Sequence, residues 1–347
     1  MYKISEFDPT TASNEILDSY FELLDSLFLE INQEDPKPPR ELLLKEVRDP
    51  YPLYENHWWL VHYEQKIVGL GHISFTKSTS PVFEQNKHIV YAFVRLHADH
   101  RGKGLGTQLT KLIVNKAIEH KDIVYLHSTT KWNSGKKFCE KLGGKLAIQH
   151  TENRLQMNEI NWDLMNEWRE QGKSIAKKEN IHLQIFEVVP EDILEEFCKF
   201  YTEVDNQQPR GELEMQSKIS PESRRLQEER YAKKNCNWYT IITREENGEI
   251  SGLTEIVFIP ETPYRIDQEL TGVKQEFRGR GLGKWLKAEM MYYIKEKYPD
   301  VKYIRTGNAD VNAPMLAINN RMGFKGFQKN YAYKFTLKEL VKTIEKF

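Results

Sequence analysis

Arg278-Gly279-Arg280-Gly281-Leu282-Gly283 places a glycine at every second position directly ahead of a helix-like run. Such a loop leaves unpaired backbone N–H groups at a helix N-terminus, where a phosphate or pyrophosphate binds well. Glycine removes the Cβ atoms that would hold an anion away from those donors, and Arg278 and Arg280 add positive charge. The pattern also stands earlier, as Arg101-Gly102-Lys103-Gly104-Leu105-Gly106. Neither copy has the G-x-G-x-x-G spacing of a dinucleotide loop. Neither is a G-x-x-x-x-G-K-[ST] loop, because Trp285 follows Lys284 where a hydroxyl is required. Upstream, Asp267 and Glu269 alternate along a strand-like run and share one face, and Glu255 lies on the strand-like run before it. Carboxylates on neighbouring strands beside an anion-binding loop can hold a cation and accept its proton. A solvated surface charge is the other reading of any one of them.

The elements that position these residues occur twice in the same order. An apolar helix pattern leads into Pro39-Arg40 in one half and Pro209-Arg210 in the other. Hairpin-like alternation follows over residues 56–75 and 237–259, the second holding Asn247-Gly248, a strong turn signal. Each glycine loop then opens an amphipathic helix, with Leu105, Leu109, Leu112 and Ile113 on one and Leu282, Trp285, Leu286, Met290 and Ile294 on the other. Pro39 and Pro209, Gly69 and Gly252, Arg101 and Arg278, and Gly143 and Gly323 lie 170, 183, 177 and 180 residues apart. A near-constant offset with loop-sized scatter is the trace of a duplicated domain. The expected division is 1–160, a polar joining helix at 161–181, and 182–347. Each half mixes helices and strands as an α/β, or layered α+β, domain.

A chain of 347 residues exceeds what one core usually holds. With 39% hydrophobic and 29% charged residues it can bury two cores. Lys+Arg (50) and Asp+Glu (51) nearly cancel, so no overall basic field marks a nucleic-acid partner. Cys139, Cys198 and Cys236 are scattered, and neither CxxC nor HExxH occurs, so no disulfide framework and no metal site are expected. No apolar run approaches the roughly 20 residues of a membrane span, and the N-terminus lacks a secretory pattern. The expectation is a cytoplasmic protein, monomer or homodimer, acting on a small molecule.

Gln275-Glu276-Phe277 followed by the loop Arg278–Gly283, after a strand and before a long helix, resembles the acetyl-CoA pyrophosphate motif of GNAT acetyltransferases, Q/R-x-x-G-x-G/A. Residues 312–324, NAPMLAINNRMGF, resemble that family's following helix, N-x-x-A-x-x-L-Y-x-x-x-G-F. The likeness covers nearly the whole chain as two copies, similar to the mycothiol synthases and related bacterial tandem GNAT proteins. It implies two domains, each a mixed, largely antiparallel twisted sheet flanked by helices, splayed in a V to admit the pantetheine arm of acetyl-CoA. Carried over by position, Val273 contacts pantetheine, Arg278, Gly279, Arg280, Gly281, Leu282 and Gly283 cradle the pyrophosphate, and Asn312 meets the cofactor arm. Leu96, Arg101, Gly102, Lys103, Gly104, Leu105 and Gly106 take these parts in the first copy, so both loops are expected to hold CoA.

The activity so implied is acetyl transfer to a primary amine by direct attack in a ternary complex. Glu269 and Glu255 are the candidate bases. The family's frequent tyrosine acid is replaced by Cys139 and Asn319, which leaves Tyr331 and Tyr333 as substitutes. Glu212, beside the second Pro-Arg loop, is a candidate for reading the amine. In the first copy His72, Val90 and Ala92 stand where the second has Glu255, Asp267 and Glu269, so the second copy is expected to catalyse. A protein lysine or N-terminus as acceptor, and a non-catalytic acyl-CoA sensor, are the alternatives.

Overall fold

The computed structural model describes residues 1–347. The first half runs β1 (Tyr2–Phe7), α1 (Asn14–Ile31), α2 (Arg40–Arg48), β2 (Tyr54–Tyr63), β3 (Lys66–Thr76), α3 (Phe83–Asn86), β4 (Ile89–Leu96), α4 (Leu105–Ile118), β5 (Tyr125–Thr130), α5 (Asn133–Lys141) and β6 (Lys145–Gln156). The second runs α6 (Trp162–Glu179), β7 (His182–Phe186), α7 (Leu194–Asn206), α8 (Pro221–Lys233), β8 (Asn237–Arg244), β9 (Ile250–Phe258), β10 (Arg265–Val273), α9 (Leu282–Lys297), β11 (Tyr303–Ala309), α10 (Ala313–Met322), β12 (Lys325–Thr336) and α11 (Leu337–Ile344). Both expected hairpins form, β2 with β3 and β8 with β9. At the second turn Gly248 takes φ +86°, and its N–H donates to the Glu245 carbonyl at 2.8 Å.

The chain divides into two compact units, but not at one point in the sequence. One comprises residues 1–149, 210–216 and 330–347, the other residues 150–209 and 217–329. In the first unit the strand order is β1-β2-β3-β4-β5-β12, with residues 331–336 of β12 antiparallel to β5. In the second it is β6-β11-β10-β9-β8-β7, with residues 150–156 of β6 antiparallel to β11. Each half of the sequence thus completes its sheet with the closing strand of the other, which a continuous division does not anticipate. The physical reason is local equivalence: both closing strands follow a left-handed glycine, Gly143 or Gly323, and local pattern does not name a partner.

The expected joining helix differs as well. α6 sits inside the second unit, with Met165, Trp168 and Gly172 buried. A Cβ on Gly172 would stand 2.0 Å from the Trp285 ring, so glycine is what lets α6 meet α9. α6 and α9 cover one face of this sheet through Met165, Trp168, Leu286, Met290 and Ile294, and α7 covers the other through Phe197, Phe200 and Val204. Each such side chain contributes roughly 1.5–3 kcal/mol on burial. In the first unit α4 and α11 cover one face and α1 the other.

Within each unit one strand pair is parallel, and it is short. β4 and β5 are paired only from Ile89–Tyr91 to Tyr125–His127, and β10 and β11 only from Arg265–Asp267 to Tyr303–Arg305. Beyond Tyr91 and Asp267 the strands part. This is the V that the family resemblance implies.

Candidate active site

The strand β10, the loop after it and the start of α9 frame a cleft of about 460 Å³ in the second unit. Its walls include Val204, Thr271, Gly272, Val273, Arg278, Gly279, Gly281, Leu282, Gly283, Asn312, Met315 and Ile318. Gly279 and Gly281 have φ of +81° and +89°, which a Cβ would strain, and Gly279 has no neighbour within 4 Å of its missing Cβ. Gly281 is the N-cap of α9 and offers no side chain to the first-turn N–H groups. The Leu282 and Gly283 N–H groups therefore stand uncapped at the cleft and fit a pyrophosphate, while that of Lys284 donates to the Gly281 carbonyl. Asn312 lines the same cleft while capping α10, its Oδ1 accepting from the Met315 N–H at 3.4 Å.

The two arginines are engaged elsewhere. Arg278 Nε donates to the Val273 carbonyl at 3.1 Å and its Nη2 to Gln207, so this carbonyl already holds a partner. Arg101 Nε donates to the Leu96 carbonyl at 3.0 Å in the same way. In both units the arginine braces the glycine loop against the end of its own strand. Arg280 pairs with Glu179 and Glu245 and does not line the cleft. Of the charge expected at the loop, that of Arg280 is thus met by carboxylates, while Arg278 bonds neutral oxygens.

On β10 the register jumps from Gln268↔Ile256 to Thr271↔Thr254, so Glu269 and Leu270 together oppose Glu255. This is a β-bulge. Gln268 Nε2 fills it, donating to the Glu255 carbonyl at 2.7 Å and to Thr254 Oγ1 at 3.0 Å. Two carboxylates that the sequence paired take different places. Glu255 is fully buried, its Oε1 accepting from Thr240 Oγ1 at 2.7 Å and from Arg224 Nη1 at 3.0 Å. Sealed from solvent and ion-paired, it is not placed to be the base. Asp267 is held by Arg305, with Nη2 to Oδ2 at 3.0 Å. Glu269 keeps an exposed surface, yet its carboxyl is pushed up to about 7 by the protein packed around it and by the charges of Asp267 and Glu255, against which Arg305 acts. Of the three, Glu269 alone combines access with a proton affinity near neutrality.

The sequence profile of the acetyltransferase (GNAT) family matches residues 17–143 and again residues 192–324. The chain belongs to that family. The chain is thus an acyltransferase, of a family that uses acetyl-CoA. Among solved structures, the chain is similar to a tandem GNAT protein from the clavulanic acid biosynthesis pathway (17% identity, TM-score 0.72, 97% of this chain and 99% of that one). It is also similar to a GCN5-related N-acetyltransferase from Sphaerobacter thermophilus (14%, 0.66, 97% and 96%). A third is the glucosamine N-acetyltransferase region of a fungal multi-domain GH3 beta-N-acetylglucosaminidase (13%, 0.65, 96% and 38%). At these identities the likeness is one of fold. No curated protein matches the chain in sequence.

The first GNAT copy gives its glycine loop other surroundings. Phe138, at the place of Ile318, approaches within 3.2 Å of where a Cβ on Gly106 would lie, and a cavity along β4, β5 and α5 measures only about 60 Å³. Arg101 forks onto Glu30 at 2.6 and 2.5 Å. His72 is buried, packs at a tilt against Trp58 with ring centres 3.9 Å apart and bonds Asn56 at 2.9 Å; burial lowers its pKa to about 3. Cys139 is pushed up to about 12 by burial, the reverse of an activated thiol.

Tyr331 and Tyr333 are corrected by the strand exchange. Both belong to the first unit, and neither lines the cleft described above. Tyr333 is buried with its hydroxyl donating to Glu140 at 3.0 Å, and Tyr331 lies under Lys136. Glu212 likewise falls in the first unit, its N–H on the Ala147 carbonyl. Asn319 is fully buried and donates to Asn308 at 2.8 Å. Sequence reasoning missed Arg224, Gln268 and Phe138. For Arg224 the only signal was an arginine in a helix with no apolar stripe.

Proposed function

We propose that the second unit transfers an acetyl group from acetyl-CoA to a primary amine of a small molecule, with Glu269 as the base and one CoA bound per chain. The observation that carries this reading is the raised carboxyl of Glu269, on the bulge of β10, two residues from the strand segment that walls the cleft. When bound, acetyl-CoA supplies the acetyl group as an activated thioester. The uncapped N-terminus of α9 holds the anionic end, and Thr271 to Val273 line the way to the bulge. The bulge takes backbone N–H groups of β10 out of the ladder, which suits an oxygen that gains charge. As the amine nitrogen bonds to the carbonyl carbon and the C–S bond breaks, Glu269 receives the amine proton, directly or through water. The thiol takes its proton from solvent, since Asn319 is buried on Asn308. The cytoplasm, where acetyl-CoA is made and used, is the compartment this reading implies.

The test is the pH dependence of kcat/KM for the best acceptor in a panel of primary amines, followed by thiol release. A base must be ionised, so kcat/KM should rise with pH through about 7 in the native protein. Glu269→Gln should lose that limb and about 10²–10⁴-fold in rate. A Glu269→Gln protein with the native profile sinks the assignment.

A further inference from the structure

We propose that Arg224 and Glu255 are positioning residues for Glu269: an ion pair sealed inside the second unit that keeps a fixed negative charge opposite the bulge and so tunes how tightly Glu269 holds a proton. This rests on the reading of Glu269 as the base.

The geometry of the pair is unusual for a structural element. Arg224 and Glu255 are 1% and 0% exposed. Glu255 Oε1 takes both available donors, Arg224 and Thr240, while Oε2 is buried with no hydrogen-bond partner. Arg224 is fixed in turn by Glu228, 3.0 Å from its Nε, and by the Trp238 ring 3.6 Å below its guanidinium carbon. A buried ion pair is no more stabilising than apolar side chains of the same volume, so stability alone does not account for it. What sets this pair apart is the register, which puts Glu255 across from Glu269 and Leu270. Charges act over longer range inside a low-dielectric interior than in water.

The groups that bear on Glu269 come from every neighbouring element. β10 contributes Asp267 and β11 contributes Arg305, and these two are bonded to each other. From α7 comes Tyr201 and from α8 Tyr231, both held neutral by burial. Glu255 comes from β9, with Arg224 of α8 behind it. With Asp267 answered directly by Arg305, the half-satisfied carboxylate of Glu255 is the charge that a single substitution can remove without opening the surface.

The experiment is a pH titration of the full chain labelled with ¹³C at the glutamate carboxyl carbons, which needs no acceptor. The resonance missing from Glu269→Gln identifies Glu269. In the native protein it should titrate near 7; in Glu255→Gln, nearly isosteric, its midpoint should fall by about one pH unit. Arg224→Lys keeps both charges and should leave the midpoint in place. A folded Glu255→Gln protein whose Glu269 midpoint does not move overturns the proposal. Should that variant not fold, Glu255→Met, which removes the same charge with an apolar side chain and leaves Arg224 paired with Glu228, faces the same criterion. A Glu269 resonance that titrates in the ordinary carboxylate range in the native chain overturns the reading of Glu269 instead.

Discussion

Gly281 and Gly104 hold the same left-handed conformation at the same cap, φ +89° and +79°, yet only the first opens on the roomy cleft. An alanine at either position would be strained by about 1–3 kcal/mol. The two variants should therefore lose comparable stability in thermal unfolding. Their effects on CoA should differ: Gly281→Ala should weaken binding by about tenfold or more, because a side chain resists φ +89° and so disturbs the N–H groups that meet the anion. Gly104→Ala should leave affinity unchanged in calorimetric titration, with a stoichiometry near one in the native chain. A stoichiometry of two, or loss of affinity in Gly104→Ala, would show that the first loop also holds CoA.

Among the elements, the ones legible in the sequence were those whose signal is local. Both hairpins, both glycine loops and the helices they open follow from alternation, turn residues and helical spacing, and the parallel step into a V followed from the family likeness. Glu255 was half legible. It stands in Ile250–Phe258, a run apolar on both faces, and a lone carboxylate there has to be buried and paired. Its partner could not be read, because α8 carries no apolar stripe and an arginine in it looks solvated. α6 was misread as a connector although Met165, Trp168 and Gly172 fall at helical spacing, since polar residues outnumber them.

Inside α9, Lys287 carries an amine 1% exposed, and burial lowers its pKa to about 7. Between about 7 and the ordinary lysine value of about 10.4 the unfolded chain binds this proton and the folded one does not. Stability from this group consequently rises with pH across that window and is weakest below pH 7. Lys287→Met keeps the length of the chain without the charge. It should raise Tm at pH 6–7, by an amount corresponding to a few kcal/mol, and the gain should shrink towards pH 10.5. A gain independent of pH would mean that packing, not charge, is what the substitution changes.

At the scale of the whole molecule, the exchange of closing strands decides which pieces can stand alone. The first unit needs Phe335, Leu337, Leu340 and Ile344 for its core, and the second needs residues 150–156 and α6. Fragments cut by the repeat, 1–160 and 182–347, should each fail to give a cooperative thermal transition. A fragment 1–160 that unfolds cooperatively with native-like near-ultraviolet circular dichroism would contradict this. No helix is long and apolar enough to cross a membrane.

That exchange also sets a timetable for synthesis. A ribosome that has made residues 1–149 has delivered most of the first unit, but strand β5 still lacks its neighbour and α4 still lacks α11. Neither arrives until residues 330–347 leave the exit tunnel, after the second unit has almost all of its chain. The half translated first is therefore finished last, and until then it waits with an open sheet edge, the kind of surface on which nascent chains depend for chaperone protection.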